Sequence, residues 1–222
     1  MIEAVIFDMD GVLIDSEPMW KEAEKKVFSS LGVDITEALS AKTASMTTQE
    51  VTQFWYELYP WQGKTLAQVE NEVVDYVAHL ILEKGTSIKG VKEALHFFKD
   101  KKVKVGLSTN APSRLIPIVL NTLGIADYFQ AISSSEFEEK GKPDPAVYLS
   151  TAQKLNVDPL KCVVFEDSFS GICAARNANM RVVAVPSSKE FMDNKFAIAH
   201  MKIRSLEEFS DVHFSTLMLQ QQ

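Results

Sequence analysis

Short apolar runs alternate with helix-like patterns over most of this chain, and this alternation constrains the fold more than any other feature. Five runs read as strands, at residues 4–7, 103–107, 131–133, 162–165 and 181–185. The stretches between the later runs have helical periodicity. Strands that alternate with helices form right-handed crossovers and a parallel sheet. The sequence therefore predicts an α/β fold, with a Rossmann-like parallel sheet covered by helices on both faces.

One long segment interrupts this alternation and carries only helical patterns. It starts at Ser16, which is predicted to cap a helix that ends at Gly32, and further helical patterns follow. We therefore predict an all-helical cap domain at residues 16–86. This cap is inserted into an α/β core domain made of residues 1–15 and 87–222.

The three tryptophans of the chain, Trp20, Trp55 and Trp61, all lie in the predicted cap. A small domain needs large side chains to build a core, so we assign Trp55 to the cap core. The expected hinges are residues 15–16 and 85–87. Trp20 follows the first hinge closely, which makes it the better candidate for a substrate contact.

Composition and charge exclude several classes of function. Of the 222 residues, 46% are hydrophobic and 24% are charged, which is ordinary for a globular protein with a core. The net charge of −7 argues against general binding to nucleic acid or to a membrane surface. No apolar run approaches the ~18 residues of a membrane helix, and we find no leader pattern. We expect a cytoplasmic monomer with reduced thiols at Cys162 and Cys173, and a frayed end at residues 217–222.

Two carboxylates follow the first strand directly, in the sequence Asp8-Met9-Asp10-Gly11. Side chains alternate along an extended chain, so Asp8 and Asp10 point to the same side. They would repel one another unless a cation lies between them, and Mg²⁺ suits a pair of acids plus a phosphate. The same four residues are also typical of a solvated turn in which Gly11 turns the chain.

Three further polar clusters lie after later strands. Ser108-Thr109-Asn110 follows the second strand, Lys142 lies in the loop after the third, and Glu166-Asp167 follows the fourth. Each has an ordinary explanation, because such residues often cap helices or form surface turns. In a parallel sheet, however, ligands bind beyond the carboxyl ends of the strands. We therefore predict one site made from all four clusters.

These side chains suit phosphoryl transfer, which depends mainly on positioning and on positive charge around the phosphate. Asp8 is predicted to be the nucleophile, and Asp10 the general acid and base. Lys142 supplies positive charge, and the amides around Asn110 suit a phosphate at a helix N-terminus. The sequence thus predicts a phosphoryl-transfer enzyme.

The order of these clusters and the place of the helical insert resemble the haloacid dehalogenase superfamily, in the subfamily with a helical cap after the first motif. The motifs are Asp8-Met-Asp-Gly-Val-Leu-Ile-Asp-Ser-Glu, Ser108-Thr-Asn, Lys142-Pro and Glu166-Asp-Ser. Within the superfamily, the chain is most similar to sugar phosphatases of the 2-deoxyglucose-6-phosphate or hexitol phosphatase type. The resemblance implies Mg²⁺-dependent hydrolysis of a small phosphorylated metabolite through an aspartyl-phosphate intermediate.

The predicted magnesium site uses Asp8, Asp167 and Asp10, the last through its backbone carbonyl, and the sequence leaves open whether Glu166 also contacts the metal. The catalytic residues are Asp8, Asp10 and Lys142. The residues predicted to bind phosphate or substrate are Gly11, Ser108, Thr109, Asn110, Lys142 and Trp20.

Two departures from the family pattern bear on the substrate. Ser45 and Thr47 stand where relatives tend to have a cap glycine and arginine, which puts the precise substrate in doubt. Phosphomutases of the subfamily use a cap histidine where this chain has Trp20, and His79 is predicted to lie on a cap surface. These features favour hydrolysis. A sugar phosphomutase and a non-catalytic sensor of phosphorylated ligands are the alternatives.

Overall fold

A parallel sheet of six strands forms the centre of the computed structural model, which describes residues 1–43 and 46–219. The strands are β1 (Ala4–Phe7), β2 (Lys104–Thr109), β3 (Ala131–Ser134), β4 (Cys162–Glu166), β5 (Arg181–Ala184) and β6 (Met201–Lys202). Their order is β3-β2-β1-β4-β5-β6, with every neighbouring pair parallel. The predicted α/β fold is therefore confirmed. The two-residue strand β6 was too short to give a sequence pattern.

Nine α-helices accompany the sheet in the described part of the chain. They are α1 (Glu17–Ser30), α2 (Glu37–Thr43), α3 (Thr48–Leu58), α4 (Leu66–Lys84), α5 (Val91–Asp100), α6 (Leu115–Leu123), α7 (Ala146–Leu155), α8 (Phe169–Asn177) and α9 (Asp211–Leu219). Within residues 1–43 and 46–219, no helix is both long enough and apolar enough to span a membrane.

Helices cover both faces of the sheet, and the side chains of β1 alternate between two cores. Val5 and Phe7 belong to a core that includes residues of α5, α6 and α9. Ala4 and Ile6 belong to a second core, with residues of α7 and α8. This arrangement is expected for a parallel strand that is buried on both sides. It leaves the carboxyl edge of the sheet as the place where polar side chains can gather.

Helices α1 to α4 lie between β1 and β2, and their aromatic side chains belong to the same continuous core as Val5 and Phe7. Trp55 is fully buried, and Phe28 packs against both Trp55 and Trp61, with ring centroids 6.1 Å apart in each pair. Large aromatic rings supply much of the apolar area that a small helical unit can bury. The assignment of Trp55 to this core is confirmed.

The chain enters and leaves this helical segment at one point. The Asp15 amide donates to the Thr86 carbonyl at 3.3 Å, and Ile14 forms an antiparallel bridge with Ser87. These contacts lie at the two expected hinges. The division into a core domain and a cap domain stays a prediction.

The C-terminal helix differs from the expectation of a frayed end. Helix α9 continues to Leu219, and Leu217 is fully buried in the core on the α5 face of the sheet. The expectation was wrong for residues 217–219, because a buried apolar side chain holds the last turn in place. Residues 220–222 lie outside the described part of the chain.

Candidate active site

The register of the central strands brings three of the four polar clusters together. Phe7 pairs with Leu107 on one side and with Phe165 on the other. Asp8 therefore follows β1 at the level of Ser108 and Glu166, and its amide donates to the Phe165 carbonyl at 3.0 Å. The carboxyl ends of β1, β2 and β4 thus meet at one edge, where the sequence places the site.

Lys142 brings the fourth cluster to the same place. Its ammonium nitrogen Nζ lies 2.5 Å from Asp8 Oδ1, 2.8 Å from Glu166 Oε1 and 3.1 Å from the Ser108 carbonyl. Only 6% of Lys142 and 7% of Asp8 is exposed. A buried ion pair of this kind needs well-formed hydrogen bonds to offset the loss of hydration, and these contacts supply them.

Burial and mutual repulsion shift the pKa values of the buried groups. Burial raises the pKa of Asp8, Lys142 counteracts this, and Glu166 and Asp10 raise the pKa further. Burial likewise raises the pKa of Asp167 well above its usual value, and Glu166 and Asp8 add to the shift. Burial lowers the pKa of Lys142, but Asp8 and Glu166 outweigh this effect, so the net pKa is raised. The cluster holds more negative charge than one ammonium balances.

Three of these acids could hold a metal ion. Asp8, Glu166 and Asp167 each offer a carboxylate oxygen, and these oxygens lie within 4.8 Å of one another. Oxygen ligands and excess negative charge are what a hard divalent ion such as Mg²⁺ requires. The donor set therefore fits the predicted metal.

Gly11 makes room for one of these ligands. Its φ of +76° is a conformation that favours glycine, and a Cβ atom there would lie only 2.0 Å from Asp167 Oδ2. The sequence assigned Gly11 to phosphate binding. The structure places its bare α-carbon against Asp167, so any side chain at position 11 would displace that carboxylate.

Asp10 is held by residues at the start of α1. Its Oδ1 accepts hydrogen bonds from Ser16 Oγ at 2.5 Å and from Trp20 Nε1 at 2.9 Å. Its Oδ2 lies 3.5 Å from Thr109 Oγ1. Ser16 and Trp20 are one helical turn apart and so share a face of the helix. The first turn of α1 therefore faces the site.

The predicted role of Ser16 needs a correction. Ser16 occupies the N-cap position of α1, but its hydroxyl makes no capping hydrogen bond and instead donates to Asp10. Capping propensity is a local preference, and the tertiary partner competes with it successfully here. Trp20, predicted to contact substrate, has its indole N–H directed to the same carboxylate.

The second cluster divides between two sides of β2. Ser108 is fully buried, and its hydroxyl lies 2.7 Å from Thr151 Oγ1 on α7. Neighbouring side chains in a strand point to opposite faces, so Ser108 and Thr109 have different partners. The assignment of Ser108 to phosphate binding stays a prediction. Thr109 has its hydroxyl on the Asp10 side. The Asn110 side chain accepts from the Lys142 amide at 2.9 Å and links the two loops.

Sequence reasoning missed Tyr148. This fully buried residue of α7 donates its hydroxyl to Glu166 Oε1 at 2.7 Å. Its ring lies beside Lys142, with Nζ 4.8 Å from the ring centroid. A tyrosine on the inner face of a helix needs a partner for its hydroxyl. This requirement could have indicated that Tyr148 contacts a buried polar group.

The two departures in the cap have different outcomes. Thr47 forms a capping box with Glu50 at the start of α3, so its side chain supports a helix end. Its methyl group also approaches the Lys142 loop, where a Cβ atom on Gly141 would lie 2.6 Å away. Ser45 lies outside the described residues. The His79 side chain is 67% exposed, as predicted.

Comparison of the sequence with protein-family models identifies the family of this chain. The family model described as "haloacid dehalogenase-like hydrolase" matches residues 2–179. The chain belongs to this family. It is therefore a member of the superfamily that the four motifs indicate, and the sequence-based recognition is confirmed.

Two curated members of the haloacid dehalogenase-like family are similar over most of their length. Hexitol phosphatase B of Escherichia coli K12 is 40% identical over 210 residues, covering 94% of this chain and 95% of the relative. The phosphorylated carbohydrates phosphatase of Thermotoga maritima is 37% identical over 179 residues, covering 81% and 82%. The prediction of an enzyme of the haloacid dehalogenase-like phosphatase type is confirmed.

Solved structures of the family share the architecture. The crystal structure of β-phosphoglucomutase from Clostridium difficile has a TM-score of 0.85 and 29% identity, covering 97% of this chain and 96% of the other. β-Phosphoglucomutase of Bacillus subtilis is 28% identical and covers 93% of both chains. The same fold therefore carries both hydrolases and mutases.

Proposed function

We propose that this protein is a Mg²⁺-dependent phosphatase of sugar or polyol phosphates that works through an aspartyl-phosphate intermediate. The observation that carries the proposal is the paired arrangement at the sheet edge. Asp8 bears an ammonium partner on Oδ1, and Asp10, two residues on, turns one oxygen toward Thr109. The similarity to hexitol phosphatase B and to the phosphorylated carbohydrates phosphatase supports the substrate class.

Asp8 is the nucleophile in this proposal. Asp8 and Asp167, with the Asp10 carbonyl, would hold Mg²⁺. Bound there, the ion supplies positive charge that reduces repulsion between the nucleophile and the phosphate. Lys142 supplies the second positive charge, so that the Asp8 carboxylate can approach phosphorus in line with the leaving oxygen.

Asp10 is the general acid and base. Its Oδ1 is occupied by Ser16 and Trp20, which leaves Oδ2 as the oxygen that carries the proton. Asp10 gives that proton to the leaving alcohol as Asp8 attacks. It then takes a proton from the water that hydrolyses the aspartyl-phosphate, which returns both acids to their starting state.

A phosphomutase is the second candidate, because β-phosphoglucomutases share the fold. A mutase must pass the phosphoryl group back to the sugar, which requires the intermediate to be shielded from water. Trp20, at the position where mutases have a cap histidine, is a hydrogen-bond donor that neither accepts nor releases a proton at neutral pH. This side chain favours hydrolysis.

The first experiment tests the nucleophile. Purified protein with Mg²⁺ should release phosphate from an aryl phosphate, and Asp8→Asn should lower kcat at least ~10³-fold. Asp100→Asn, at an exposed position at the end of α5, is the control and should keep full activity. Comparable activity in Asp8→Asn and the wild type would remove Asp8 as nucleophile.

The second experiment defines the substrate. A panel of sugar and polyol phosphates should yield free phosphate and the parent alcohol. An isomerised sugar phosphate with little free phosphate would favour the mutase, and binding without turnover would favour a sensor. The panel is needed because Thr47 is engaged in a capping box and adds no cation to the site. Monomeric state and cytoplasmic location stay predictions.

A further inference from the structure

Glu166 is buried at the end of β4 with both carboxylate oxygens occupied. Oε1 accepts from Lys142 Nζ at 2.8 Å and from Tyr148 Oη at 2.7 Å. Oε2 accepts from the Ser168 amide and hydroxyl, both at 3.0 Å. A carboxylate has about four lone-pair sites, so these four donors use its full capacity.

The space around Glu166 is built for this arrangement. A Cβ atom on Gly171 would lie 1.7 Å from Glu166 Oε1, so the first turn of α8 accepts the carboxylate only because position 171 is glycine. Tyr148 closes the other side with its hydroxyl and places its ring beside Lys142. Glu166 and Tyr148 are both fully buried, so no bulk water can replace a lost donor.

Two carboxylates compete for the Lys142 ammonium group, and the Tyr148 hydroxyl donates to one of them. Nζ contacts both Asp8 and Glu166. Each donor that Glu166 receives from elsewhere reduces its demand on the ammonium group. If Oε1 lost the Tyr148 hydroxyl, Lys142 would be drawn toward Glu166 and away from Asp8 and the phosphate position.

We propose that Tyr148 is a positioning residue for the phosphatase reaction: by donating to Glu166, it holds Lys142 at the phosphate-binding position beside Asp8. In this arrangement Glu166 acts through Lys142, and Asp8, Asp167 and the Asp10 carbonyl would hold the metal. The inference rests on the proposed function, because it assigns Lys142 to phosphate.

Two variants of α7 provide the test. Tyr148→Phe removes the hydroxyl that reaches Glu166 and keeps the ring. Thr151→Val removes the other buried hydroxyl of the helix, which pairs with Ser108 and does not touch Lys142 or Glu166. In the full-length Mg²⁺-loaded protein, Tyr148→Phe should weaken inorganic phosphate binding and lower kcat/KM on an aryl phosphate, each roughly tenfold. Thr151→Val should leave both within about twofold.

A metal titration separates this role from metal binding. Calorimetric titration should give a Mg²⁺ affinity for Tyr148→Phe that is within about twofold of the wild type. Ser168→Ala, which removes a donor from the opposite oxygen, should weaken phosphate binding in the same direction and serves as a second variant. A tenfold loss of Mg²⁺ affinity in Tyr148→Phe would overturn the inference, because Glu166 would then serve the metal.

The inference and the proposed function fail in different ways. A wild type that releases phosphate, together with a Tyr148→Phe variant of unchanged phosphate affinity, would overturn the positioning role alone. Equal losses of phosphate affinity in Tyr148→Phe and Thr151→Val would also overturn it, because general packing of α7 would explain both. A wild type that releases no phosphate from any ester would overturn the proposed function.

Discussion

Asp8 and Asp10 are two residues apart, yet different parts of the molecule hold their carboxylates. Asp8 is paired with Lys142, from the loop between β3 and α7. Asp10 receives its two short hydrogen bonds from Ser16 and Trp20, at the start of the helical segment between β1 and β2. Both acids leave the same strand, so the difference comes from their neighbours.

This difference separates the two roles that we propose. The partner of the Asp8 carboxylate, Lys142, is buried at the sheet edge. The two partners of Asp10 Oδ1, Ser16 and Trp20, lie at the start of α1, so any movement of that helix relative to β1 changes the environment of the acid and base. In the proposed mechanism, attack at phosphorus thus depends on the sheet, and proton transfer depends on the helical segment. Closure of a segment over a site commonly controls catalysis in this way.

Replacing Lys142 should remove the charged partner of Asp8 and give the largest loss of activity. Lys142→Met leaves Asp8 and Glu166 without their shared cation. We expect a loss of at least ~10²-fold in kcat/KM and a decrease of about 3–5 kcal/mol in the free energy of unfolding. Phosphate-release kinetics and urea denaturation measure the two quantities.

Lys140→Met is the control for this variant, because Lys140 is an exposed residue of the same loop. It should change kcat/KM less than about twofold and leave stability nearly unchanged. If Lys142→Met were as active as this control, Lys142 would have no part in phosphate binding.

Removing the indole N–H of Trp20 should remove a hydrogen bond to Asp10. The loss of activity should be smaller and should depend on the leaving group of the substrate. Trp20→Phe should lower kcat/KM about tenfold on a polyol phosphate, whose alcohol must be protonated as it leaves. On a nitrophenyl phosphate, whose leaving group needs no proton, the loss should be below about threefold. Since kcat/KM reports the first chemical step, the ratio between the two substrates isolates the acid.

Trp61→Phe is the matched control, because its buried indole N–H has no acceptor among residues 1–43 and 46–219. It should affect both substrates equally. Equal losses on the two substrates in Trp20→Phe would instead assign Trp20 to packing or to substrate contact, and the proposed link to proton transfer would fail.

The smallest expected effect concerns Glu24 on α1, which can be compared with the buried Glu166 at the sheet edge. Glu166 is buried with four hydrogen-bond donors, whereas no side-chain hydrogen bond joins Glu24 on α1 to another described residue. Burial raises the pKa of Glu24 from 4.5 to about 7, with Lys21 counteracting. The folded state therefore favours the protonated acid, and this contribution to stability is lost as pH rises from about 4.5 through 7.

Glu24→Gln should therefore raise the free energy of unfolding at pH 8 by about 1–2 kcal/mol, after allowance for the part of the side chain that water still reaches. At pH 5 the gain should be much smaller, since Glu24 is then protonated in the folded protein. Thermal denaturation at both pH values measures the difference. Glu93→Gln on the exposed side of α5 is the matched control, and an equal gain there would contradict the assignment of the effect to the burial of Glu24.

The sequence predicted those parts of the site that strand ends define. Asp8, Asp10, Lys142 and Asp167 each come directly after a strand or in its following loop, so the fold class sufficed to bring them together. The sequence did not indicate that the hydroxyls of Ser108 and Thr109 have different partners, because a shift of one residue along a strand changes the face to which a side chain points.

Contacts between distant elements explain the remaining differences. Ser16 has the local pattern of a helix cap, but its hydroxyl binds Asp10. Tyr148 looks like an ordinary helix residue until α7 is placed against the end of β4. Leu217 lies in a stretch without helical periodicity, and its side chain is buried because α9 packs against the core of the sheet. Each of these contacts depends on tertiary placement, which no local pattern encodes.

The junction at Asp15 and Thr86 has a consequence for how such enzymes diversify. The Asp15 amide donates a hydrogen bond to the Thr86 carbonyl, so the helical segment between them begins and ends at the same place. Changing the length of a segment closed at its base costs little free energy and does not shift the register of β1 and β2. Evolution can therefore exchange this segment while Asp8 and Lys142 keep their places. Chimaeras that transplant this segment between related phosphatases would exploit the same independence.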